Sequence, residues 1–334
     1  MDPIALTRDL VALDSTTGRE HDATAHLAQL LERAGWHVQL QPVADGRANL
    51  YATREPPVVV LSTHLDTVPP YIALREDDTW LHGRGTCDAK GLAAAMVAAA
   101  ESLAAAGERR VGLLFVVGEE NGSDGAKAVN ALQPKGRWMI NGEPTEGQLT
   151  IGQKGVLRAT VETHGRAAHS AYPEEGRSAI LPLLDALQRI RRIPLPFDPL
   201  LGSATMNIGT ISGGAAPNVI PAAGRAELLY RTVGDVTRLQ QEIEAAARPN
   251  ATVRFPLEIP PVTAPALPGW ASSVVNFCSD LAFYGAWGTG YQYGPGTIRV
   301  AHTDEERIAK QDLLDGTLAY ARLARELLTL DASA

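Results

Sequence analysis

The first half of the chain alternates between two hydrophobic patterns, one helical and one strand-like. Residues 3–16 and 20–35 carry apolar side chains at helical spacing. The alanine-rich stretch 89–106 predicts a further helix, with Asp88 at its N-cap and Gly107 after its last turn. Helices that alternate with apolar strands predict an open α/β sheet. The strand-like runs, each of which ends in polar residues, are VVVLSTHLD, VGLLFVVGEE and WMINGEPT.

The pattern changes near residue 155, where alternating and helical segments predict the order β-α-β-β-α-β. That order is typical of a small sandwich with its helices on one face. A proline-rich linker, IPPVTAPALPG, follows, and after it we expect a helix, a GTGYQYGPG loop and a final helix from about Glu306 to Leu328. The simplest architecture is one main domain of residues 1–153 and 263–334, interrupted by an inserted domain of residues 154–262.

Composition narrows the range of partners. The chain has 334 residues, 45% of them hydrophobic, and a formal net charge of -8, which argues against binding to nucleic acid or to an anionic membrane. The N-terminus lacks the pattern of a signal peptide, and we find no apolar run of membrane-spanning length. The two cysteines, Cys87 and Cys278, exclude a disulfide framework and fit a reducing compartment. We therefore expect a cytoplasmic protein that acts on small molecules.

Histidines and acids collect where the predicted strands end. Ligands in open α/β sheets gather beyond the carboxyl ends of the strands, so we expect these side chains to lie together. Five of them, two histidines and three carboxylates, have the spacing and type of a two-metal hydrolase site, and their nitrogen and oxygen donors suit zinc, cobalt or manganese. Five ligands with one bridging acid leave positions open for water and substrate. The candidates are His64, Asp66, Asp88, Glu119, Glu120, Glu143 and His302.

Two of these positions have a predicted role beside the metals. Asp66 lies two residues after His64, so on an extended segment it shares the side-chain direction of His64 and would orient that imidazole. Glu119 and Glu120 are consecutive, so their side chains diverge, and one would bind metal while the other acts as general base. The residues alone leave open which glutamate does which. Cys87, next to Asp88, is interpreted as a small buried residue rather than as a ligand.

The succession HLDTV, GRGTCDAKG, GEENGSDGA, NGEPT, AHSA, PNVIP and GPG followed by AH resembles a known family over nearly the whole chain. This is the di-zinc metallopeptidase and deacylase family of acetylornithine deacetylase, succinyl-diaminopimelate desuccinylase, aminoacylase and related carboxypeptidases and dipeptidases. The resemblance implies a mixed-sheet catalytic domain and two divalent metals, with zinc expected first. It implies that Glu119 is the general acid and base and that Asp66 orients His64. The implied ligands are His64 and Glu143 on one metal, Glu120 and His302 on the other, and Asp88 between them.

The family also has a smaller lid domain that mediates dimerisation, and the inserted segment matches it. The resemblance implies a homodimer in which His169 reaches the partner's active site and stabilises the oxyanion, a role worth several kcal/mol in general. The alternative is an ordinary surface histidine. Asn218 and Arg231 resemble lid residues that hold a substrate carboxylate. Gly296, in the GPG loop, resembles a residue that supplies a backbone contact beside the scissile bond.

Within the family, the segment from GPG to the final histidine favours a deacylase of N-acyl amino acids, similar to acetylornithine deacetylase. Glu305 and Glu306 would receive a cationic substrate side chain, although acids before a helix need no substrate to explain them. The alternatives are a dipeptidase or carboxypeptidase, a desuccinylase, whose loop usually carries a Ser-Asp pair after Gly-Thr, and a catalytically silent binding protein. Three aromatic residues near the GPG loop, interpreted as packing rather than as a pocket wall, are Trp287, Tyr291 and Tyr293.

Overall fold

The computed structural model describes residues 1–44 and 46–332. Contacts divide the chain into two compact units. The first unit consists of Met1–Ile151, Ala264–Ser273 and Ser279–Ala334. The second consists of Gly152–Thr263 and Val274–Cys278. Within the described ranges, no helix is both long enough and apolar enough to cross a membrane.

Helices and strands are numbered in chain order. The α-helices are α1 Pro3–Val11, α2 His21–Arg33, α3 Lys90–Ala105, α4 Asp124–Ala128, α5 Ile180–Ile190, α6 Thr237–Ala247 and α7 Lys310–Ala332. The strands are β1 His37–Ala44, β2 Arg47–Thr53, β3 Val59–His64, β4 Arg75–Glu76, β5 Trp80–His82, β6 Val111–Val116, β7 Trp138–Gly142, β8 Leu149–Gln153, β9 Gly155–His164, β10 Phe197–Asp198, β11 Gly202–Ser203, β12 Thr205–Gly213, β13 Ala223–Thr232, β14 Thr252–Ile259, β15 Val262–Thr263, β16 Ser272–Val275, β17 Thr289–Tyr293 and β18 Arg307–Ala309.

The sheet of the first unit is mixed, as predicted, with the strand order β1-β2-β6-β3-β7-β17-β8. Its central strands β6, β3, β7 and β17 are parallel. In their register, His64 lies opposite Val116, and Tyr293 lies opposite Gly142. Strands β3 and β6 are buried along their whole length, as expected of parallel strands covered on both faces. The carboxyl ends of four central strands therefore meet at one edge.

Helix α3 is the most deeply buried helix of the first unit. It packs against α1, α7 and the strands β3 and β6. Most of its residues from Gly91 to Ala100 are alanines with little or no exposed surface, and small side chains let neighbouring elements approach closely. Burial of its larger side chains, such as Leu92 and Met96, stabilises the fold by about 1.5–3 kcal/mol each relative to exposure. Asp88 lies two residues before this helix begins, at the edge where the strands end.

The C-terminal part of the first unit differs from the sequence-based prediction. The GTGYQYGPG segment is not simply a loop, because Thr289–Tyr293 forms β17 inside the sheet, parallel to β7. The final helix begins at Lys310 rather than Glu306, because Arg307–Ala309 pairs with β5 as a strand. In place of the helix expected after the linker, the chain forms short 3₁₀ turns at Asp280–Phe283 and Gly285–Trp287.

The second unit contains an antiparallel sheet with the strand order β12-β13-β9-β14. The elements β9, α5, β12, β13, α6 and β14 follow one another as β-α-β-β-α-β, with the short hairpin β10-β11 between α5 and β12. Helices α5 and α6 pack on each other and on the strands of the sheet. Buried residues alternate with more exposed ones along β13, so one face of the sheet forms the core of this unit.

Candidate metal centre

Five candidate residues form two groups that share one member. The inner cluster, as we call it, consists of His64, Asp88 and Glu143, and all three are buried. The outer cluster consists of Asp88, Glu120 and His302. Within each cluster, one potential ligand atom per residue lies within 4.8 Å of the others. The structure thus brings together five residues that are up to 238 positions apart (302 − 64) in the sequence.

Asp88 lies between the clusters and presents one oxygen to each. Its Oδ1 is 3.0 Å from Nε2 of His64, and its Oδ2 is 3.3 Å from Nε2 of His302. On the outer side, Nε2 of His302 is also 2.9 Å from Oε1 of Glu120. A carboxylate with one oxygen in each group is the arrangement that two neighbouring cations need from a bridging ligand.

The predicted N-cap role of Asp88 is wrong. Helix α3 begins at Lys90, its N-cap residue is Ala89, and no side chain caps it. The Asp88 carboxylate instead contacts the two imidazoles. The peptide bond between Asp88 and Ala89 is cis.

Without a cation, the site holds an excess of buried carboxylates. Burial and the charges of Asp280 and Glu143 raise the pKa of Glu119, and burial together with the charge of Asp88 raises the pKa of Glu143. Oε1 of Glu143 is buried without a hydrogen-bond partner in the described chain. Hydrogen bonds with Asp88 and Glu120 raise the pKa of His302 to about 10. Crowded buried carboxyl groups, an orphaned oxygen and imidazole donors without a thiolate fit two divalent cations of the zinc, cobalt or manganese type.

Glu119 and Glu120 occupy a 3₁₀ turn directly after β6. Two backbone N–H groups of this turn point at Asp66: that of Glu119 donates to Oδ1 at 3.0 Å, and that of Glu120 donates to Oδ2 at 3.1 Å. Thr17 also donates its hydroxyl to Oδ2, at 2.8 Å. The Asp66 carboxylate therefore holds the turn that presents both glutamates.

The imidazole of His64 is oriented mainly by the backbone. Its Nδ1 lies 2.9 Å from the carbonyl oxygen of Asp66 but 3.5 Å from the Asp66 carboxylate. Donation from Nδ1 to that carbonyl leaves Nε2 free to face Asp88. Although burial by itself would lower the pKa of His64, hydrogen bonds with Asp66 and Asp88 outweigh it and raise the pKa well above its usual value. The side chain of Asp66 thus serves the glutamate turn at least as directly as it serves His64.

Three residues other than glycine in the described ranges have positive φ angles, and all three lie in loops that carry site residues. They are Ser123 at 58°, Glu146 at 57° and His302 itself at 63°. Left-handed backbone in such residues costs about 1–3 kcal/mol and persists where the surrounding structure enforces it. The loops around the site are therefore held in specific conformations by their contacts.

The GPG segment supports the inner cluster. The carbonyl of Gly294 accepts hydrogen bonds from the N–H groups of Thr145 and Gly147, in the turn that follows Glu143. A Cβ at Gly294 would lie 2.3 Å from the carbonyl oxygen of Glu143, so only glycine fits there. Gly296 has a φ of 78°, and a Cβ on it would lie 2.6 Å from Sγ of Cys87. Cys87 is buried, and its thiol points to the Thr297 carbonyl rather than to the clusters.

The other three predicted site residues belong to the second unit. His169 is exposed, its backbone bridges to Val219, and its Nδ1 accepts a hydrogen bond from the Ala171 N–H at 3.1 Å. Asn218 lies beside it, because its carbonyl accepts from the N–H of Ser170. Arg231 is at the end of β13, where it pairs with Thr205 and Val156. These contacts place His169 and Asn218 on adjoining loops and Arg231 on the sheet.

Sequence reasoning missed Asp280 and misjudged Glu306. Asp280 is 1% exposed, burial raises its pKa to about 7, and its charge acts on Glu119 and Glu143. The Ser279-Asp280 pair was a usable signal, but it follows Phe-Cys rather than Gly-Thr. Glu306 cannot receive a cationic substrate side chain, because its buried carboxylate is occupied by Arg84 and backbone N–H groups.

The aromatic residues near GPG form part of the packing, as interpreted from the sequence. Trp287, Tyr291 and Tyr293 are at most 5% exposed. Trp287 meets Tyr51 edge-on at 5.6 Å between ring centroids, and Tyr293 packs in the same way against Tyr320. These rings support the strand that leads into the GPG segment.

Comparisons with known proteins agree with this geometry. The sequence profile of peptidase family M20/M25/M40 matches residues 60–326. A probable carboxypeptidase of Aspergillus clavatus is 36% identical to this chain, and the alignment covers 97% of this chain and 82% of the relative.

Two solved structures share the fold. A tripeptidase from Staphylococcus aureus has a TM-score of 0.81 at 24% identity and covers 97% of this chain and 96% of its own. An M20 family metallo-carboxypeptidase from Sulfolobus solfataricus has a TM-score of 0.78 at 16% identity, with 97% and 99% covered. None of these three proteins is named a deacetylase, so the predicted closeness to acetylornithine deacetylase is not confirmed. The profile match and the 36% identity show that the chain belongs to peptidase family M20/M25/M40 and is a hydrolase of amide bonds.

Proposed function

We propose that the protein is a two-metal carboxypeptidase that removes the C-terminal residue of small peptides. One structural observation carries the metal chemistry: two donor clusters share Asp88, which presents a different oxygen to each. The carboxypeptidase character rests on the similarity to the Aspergillus clavatus protein across nearly the whole chain.

The inner cluster would hold one cation and the outer cluster the other, with Asp88 as the bridge. Zinc is our first choice, with cobalt and manganese as alternatives that suit the same donors. Bound there, a pair of such ions would activate a water for attack and polarise the carbonyl of the scissile amide.

Glu119 would act as general base and then as general acid. It is the carboxylate of the 3₁₀ turn that belongs to neither cluster, while its neighbour Glu120 contacts His302. Burial and the charges of Asp280 and Glu143 raise the pKa of Glu119, which suits a group that takes a proton from the attacking water and passes it to the leaving amine. Asp66 would keep this carboxylate in place through the two N–H groups of the turn.

The second unit would supply the groups that recognise the substrate. We propose that it is a lid and dimerisation domain, that Arg231 and Asn218 bind the C-terminal carboxylate, and that His169 donates to the developing oxyanion. Arginine suits a carboxylate because its guanidinium binds both oxygens at once. A homodimer measured by light scattering, with activity lost in His169→Ala and restored by mixing with a Glu119→Gln protein, would support a role for His169 in the partner's site.

Three substrates that share a leucine leaving group test the reaction. With zinc-, cobalt- or manganese-loaded protein, a carboxypeptidase cleaves both glycyl-leucine and N-acetyl-glycyl-leucine, whereas a dipeptidase requires the free amino group of the first. A deacylase cleaves N-acetyl-leucine fastest. Amidation of the leucine carboxylate should abolish cleavage if Arg231 recognises that group, and Glu119→Gln serves as the inactive control.

We expect N-acetyl-glycyl-leucine to be hydrolysed and N-acetyl-leucine to be a poor substrate. The opposite preference would contradict the carboxypeptidase proposal and favour the deacylase. Replacing leucine by lysine or glutamate then measures side-chain preference. Since Glu306 is engaged with Arg84, the structure offers no reason for a lysine substrate to be favoured at that residue.

A further inference from the structure

Glu306 lies four residues after His302, and its side chain is fully buried. One oxygen, Oε1, accepts three backbone hydrogen bonds: from Gly85 at 2.8 Å, Cys87 at 3.2 Å and Asp88 at 3.1 Å. Several N–H groups that converge on one oxygen form a concave anion site. The occupant of this site is a side chain of the protein itself, and the last of the three donors is the N–H of the shared residue of the two clusters.

Arg84 joins the same two segments from the other side. Its Nη1 lies 2.6 Å from Oε2 of Glu306 and also donates to the carbonyl of Thr303 at 3.2 Å. The Arg84 side chain is 2% exposed. The carbonyl of Glu306 completes the connection by accepting a hydrogen bond from Gly83.

These bonds connect the segment 83–88, which ends in Asp88, to the segment 302–306, which begins with His302. Asp88 and His302, two of the three members of the outer cluster, lie on the segments that Glu306 joins. Of the inner cluster, only Asp88 does. His302 itself lies in a loop with left-handed backbone, and its imidazole is half-exposed.

We infer that Glu306 is a positioning residue, which sets the separation of Asp88 and His302 and thereby the affinity of the outer cluster for its cation. This inference rests on the proposed two-metal function. The Glu306 carboxylate is not itself a ligand of either cation. It acts through the backbone of Asp88 and through the loop that contains His302. Partners of this kind typically change metal affinity or activity by about 10- to 100-fold when they are mutated.

Glu306→Gln is the informative substitution. Glutamine has one acceptor oxygen where glutamate has two, so its amide NH₂ must face either the Arg84 guanidinium or the three backbone N–H groups. In either orientation the glutamine NH₂ faces other hydrogen-bond donors, and we expect the segments 83–88 and 302–306 to move apart. Glu305→Gln is the matched control, because it makes the same chemical change one residue earlier. The Glu305 side chain is 82% exposed, and its carboxylate makes a long contact of 3.5 Å with Arg307.

The test titrates metal-free protein with Co²⁺ and follows binding by calorimetry and visible absorption. We expect Glu306→Gln to weaken the second equivalent of Co²⁺ by about 10- to 100-fold relative to the parent, with an altered absorption spectrum for that equivalent. The first equivalent should change less, and Glu305→Gln should bind both equivalents like the parent. Turnover should fall through kcat with little change in KM.

A Glu306→Gln protein that binds both equivalents with parental affinity and spectrum would overturn the inference. Amide exchange in the metal-free proteins separates this outcome from failure of the proposed function. If the parent binds fewer than two equivalents of Co²⁺, the two-metal proposal fails. Hydrogen exchange of the backbone N–H groups of Gly85, Cys87 and Asp88 then tests the positioning role by itself. Faster exchange in Glu306→Gln supports that role, and unchanged exchange contradicts it. If Glu306→Gln does not fold, Arg84→Lys, which keeps the charge but loses the guanidinium's reach to Thr303, is judged by the same criteria.

Discussion

The inner and outer clusters differ in what supports them. His64 and Glu143 of the inner cluster lie at the ends of β3 and β7, neighbouring strands in the middle of the sheet, and both are buried. In the outer cluster, Glu120 lies on a 3₁₀ turn, and His302 lies in a loop with a φ of 63° and a half-exposed imidazole. Only Asp88 is common to both.

The difference shows how a site can combine rigid and adjustable halves. Strand hydrogen bonds and the packed core around β3 and β7 support His64 and Glu143. The outer residues depend on two buried carboxylates that bind backbone N–H groups: Asp66 binds the turn of Glu120, and Glu306, four residues after His302, binds the segment that ends in Asp88. Sites built on regular elements are positioned more accurately than sites on loops. The outer half should therefore be the more sensitive to its surroundings.

The largest expected effect belongs to Glu119, which is part of neither cluster. Glu119→Gln should lower kcat by about 10²- to 10⁴-fold, because it removes the proton acceptor. Metal content should remain at two equivalents. Glu120→Gln is the matched control one residue away, and it should instead lose the outer cation. Steady-state kinetics with elemental analysis distinguishes the two, and equal metal loss in both variants would contradict the division of roles.

The two histidines should differ in their effect on the metal-free protein. His64→Ala leaves buried carboxylates without their partner and should lower the free energy of unfolding by about 3–5 kcal/mol. His302→Ala removes a half-exposed partner, so we expect a loss of about 0–1 kcal/mol. Denaturant unfolding without metal measures both, and equal losses would show that the outer cluster is as firmly held as the inner one.

Asp66→Asn should affect the outer cluster more than the inner one. Asparagine keeps one acceptor oxygen, so one of the two N–H groups of the glutamate turn loses its partner. His64 retains its bond to the backbone carbonyl of residue 66. We expect a drop in kcat of about 10- to 100-fold and weaker binding of one metal equivalent. Thr17→Val, with Thr17→Ser as its rescue, removes the hydroxyl that donates to Asp66 and, at 3.5 Å, to the carbonyl of Thr67, and it should have a smaller effect in the same direction.

The smallest expected difference is the order in which the two cations leave. On stepwise chelation the outer cation should dissociate first, since water reaches His302 more easily than His64. Cobalt absorption during titration with a chelator follows the order. Simultaneous loss of both equivalents would contradict this order. It would mean that the shared carboxylate of Asp88 couples the two clusters, so that neither holds its cation independently of the other.

Hydrophobic patterning predicted the part of the site that is built on strands. Runs of apolar residues ending in His64, Glu119-Glu120 and Glu143 correspond to β3, β6 and β7, and the parallel register brings their ends together. The predicted N-cap role of Asp88 was wrong because an acid before a helix satisfies the same local pattern whether it caps the helix or faces two imidazoles. The GTGYQYGPG segment was wrongly predicted as a loop because its glycines are typical of loops. The strand that it forms is stabilised by pairing with β7, which the local sequence does not show.

Two buried carboxylates mark the limit of sequence reasoning. Glu306 and its exposed neighbour Glu305 are the same residue type in the same local context, and for both the sequence left open a contact with a cationic substrate or an ordinary acid before a helix. Only the folded chain brings Arg84 and three backbone N–H groups to one of them. Asp66 was predicted to orient His64, and its carboxylate lies 3.5 Å from Nδ1 of that residue; the folded chain adds the two N–H groups of the turn of Glu119 and Glu120, which no local pattern indicated.

The sequence by itself determined the α/β class, the family and the residue types available to bind metal, because periodicity and motifs depend on neighbours along the chain. Tertiary structure decided how the Asp88 carboxylate divides its oxygens between two histidines, which acids bind backbone N–H groups instead of a ligand, and how firmly each half of the site is held. Those outcomes depend on contacts between segments more than 200 residues apart, such as Asp88 with His302 (302 − 88 = 214), and the energies of such contacts are set by burial and geometry that no local pattern encodes.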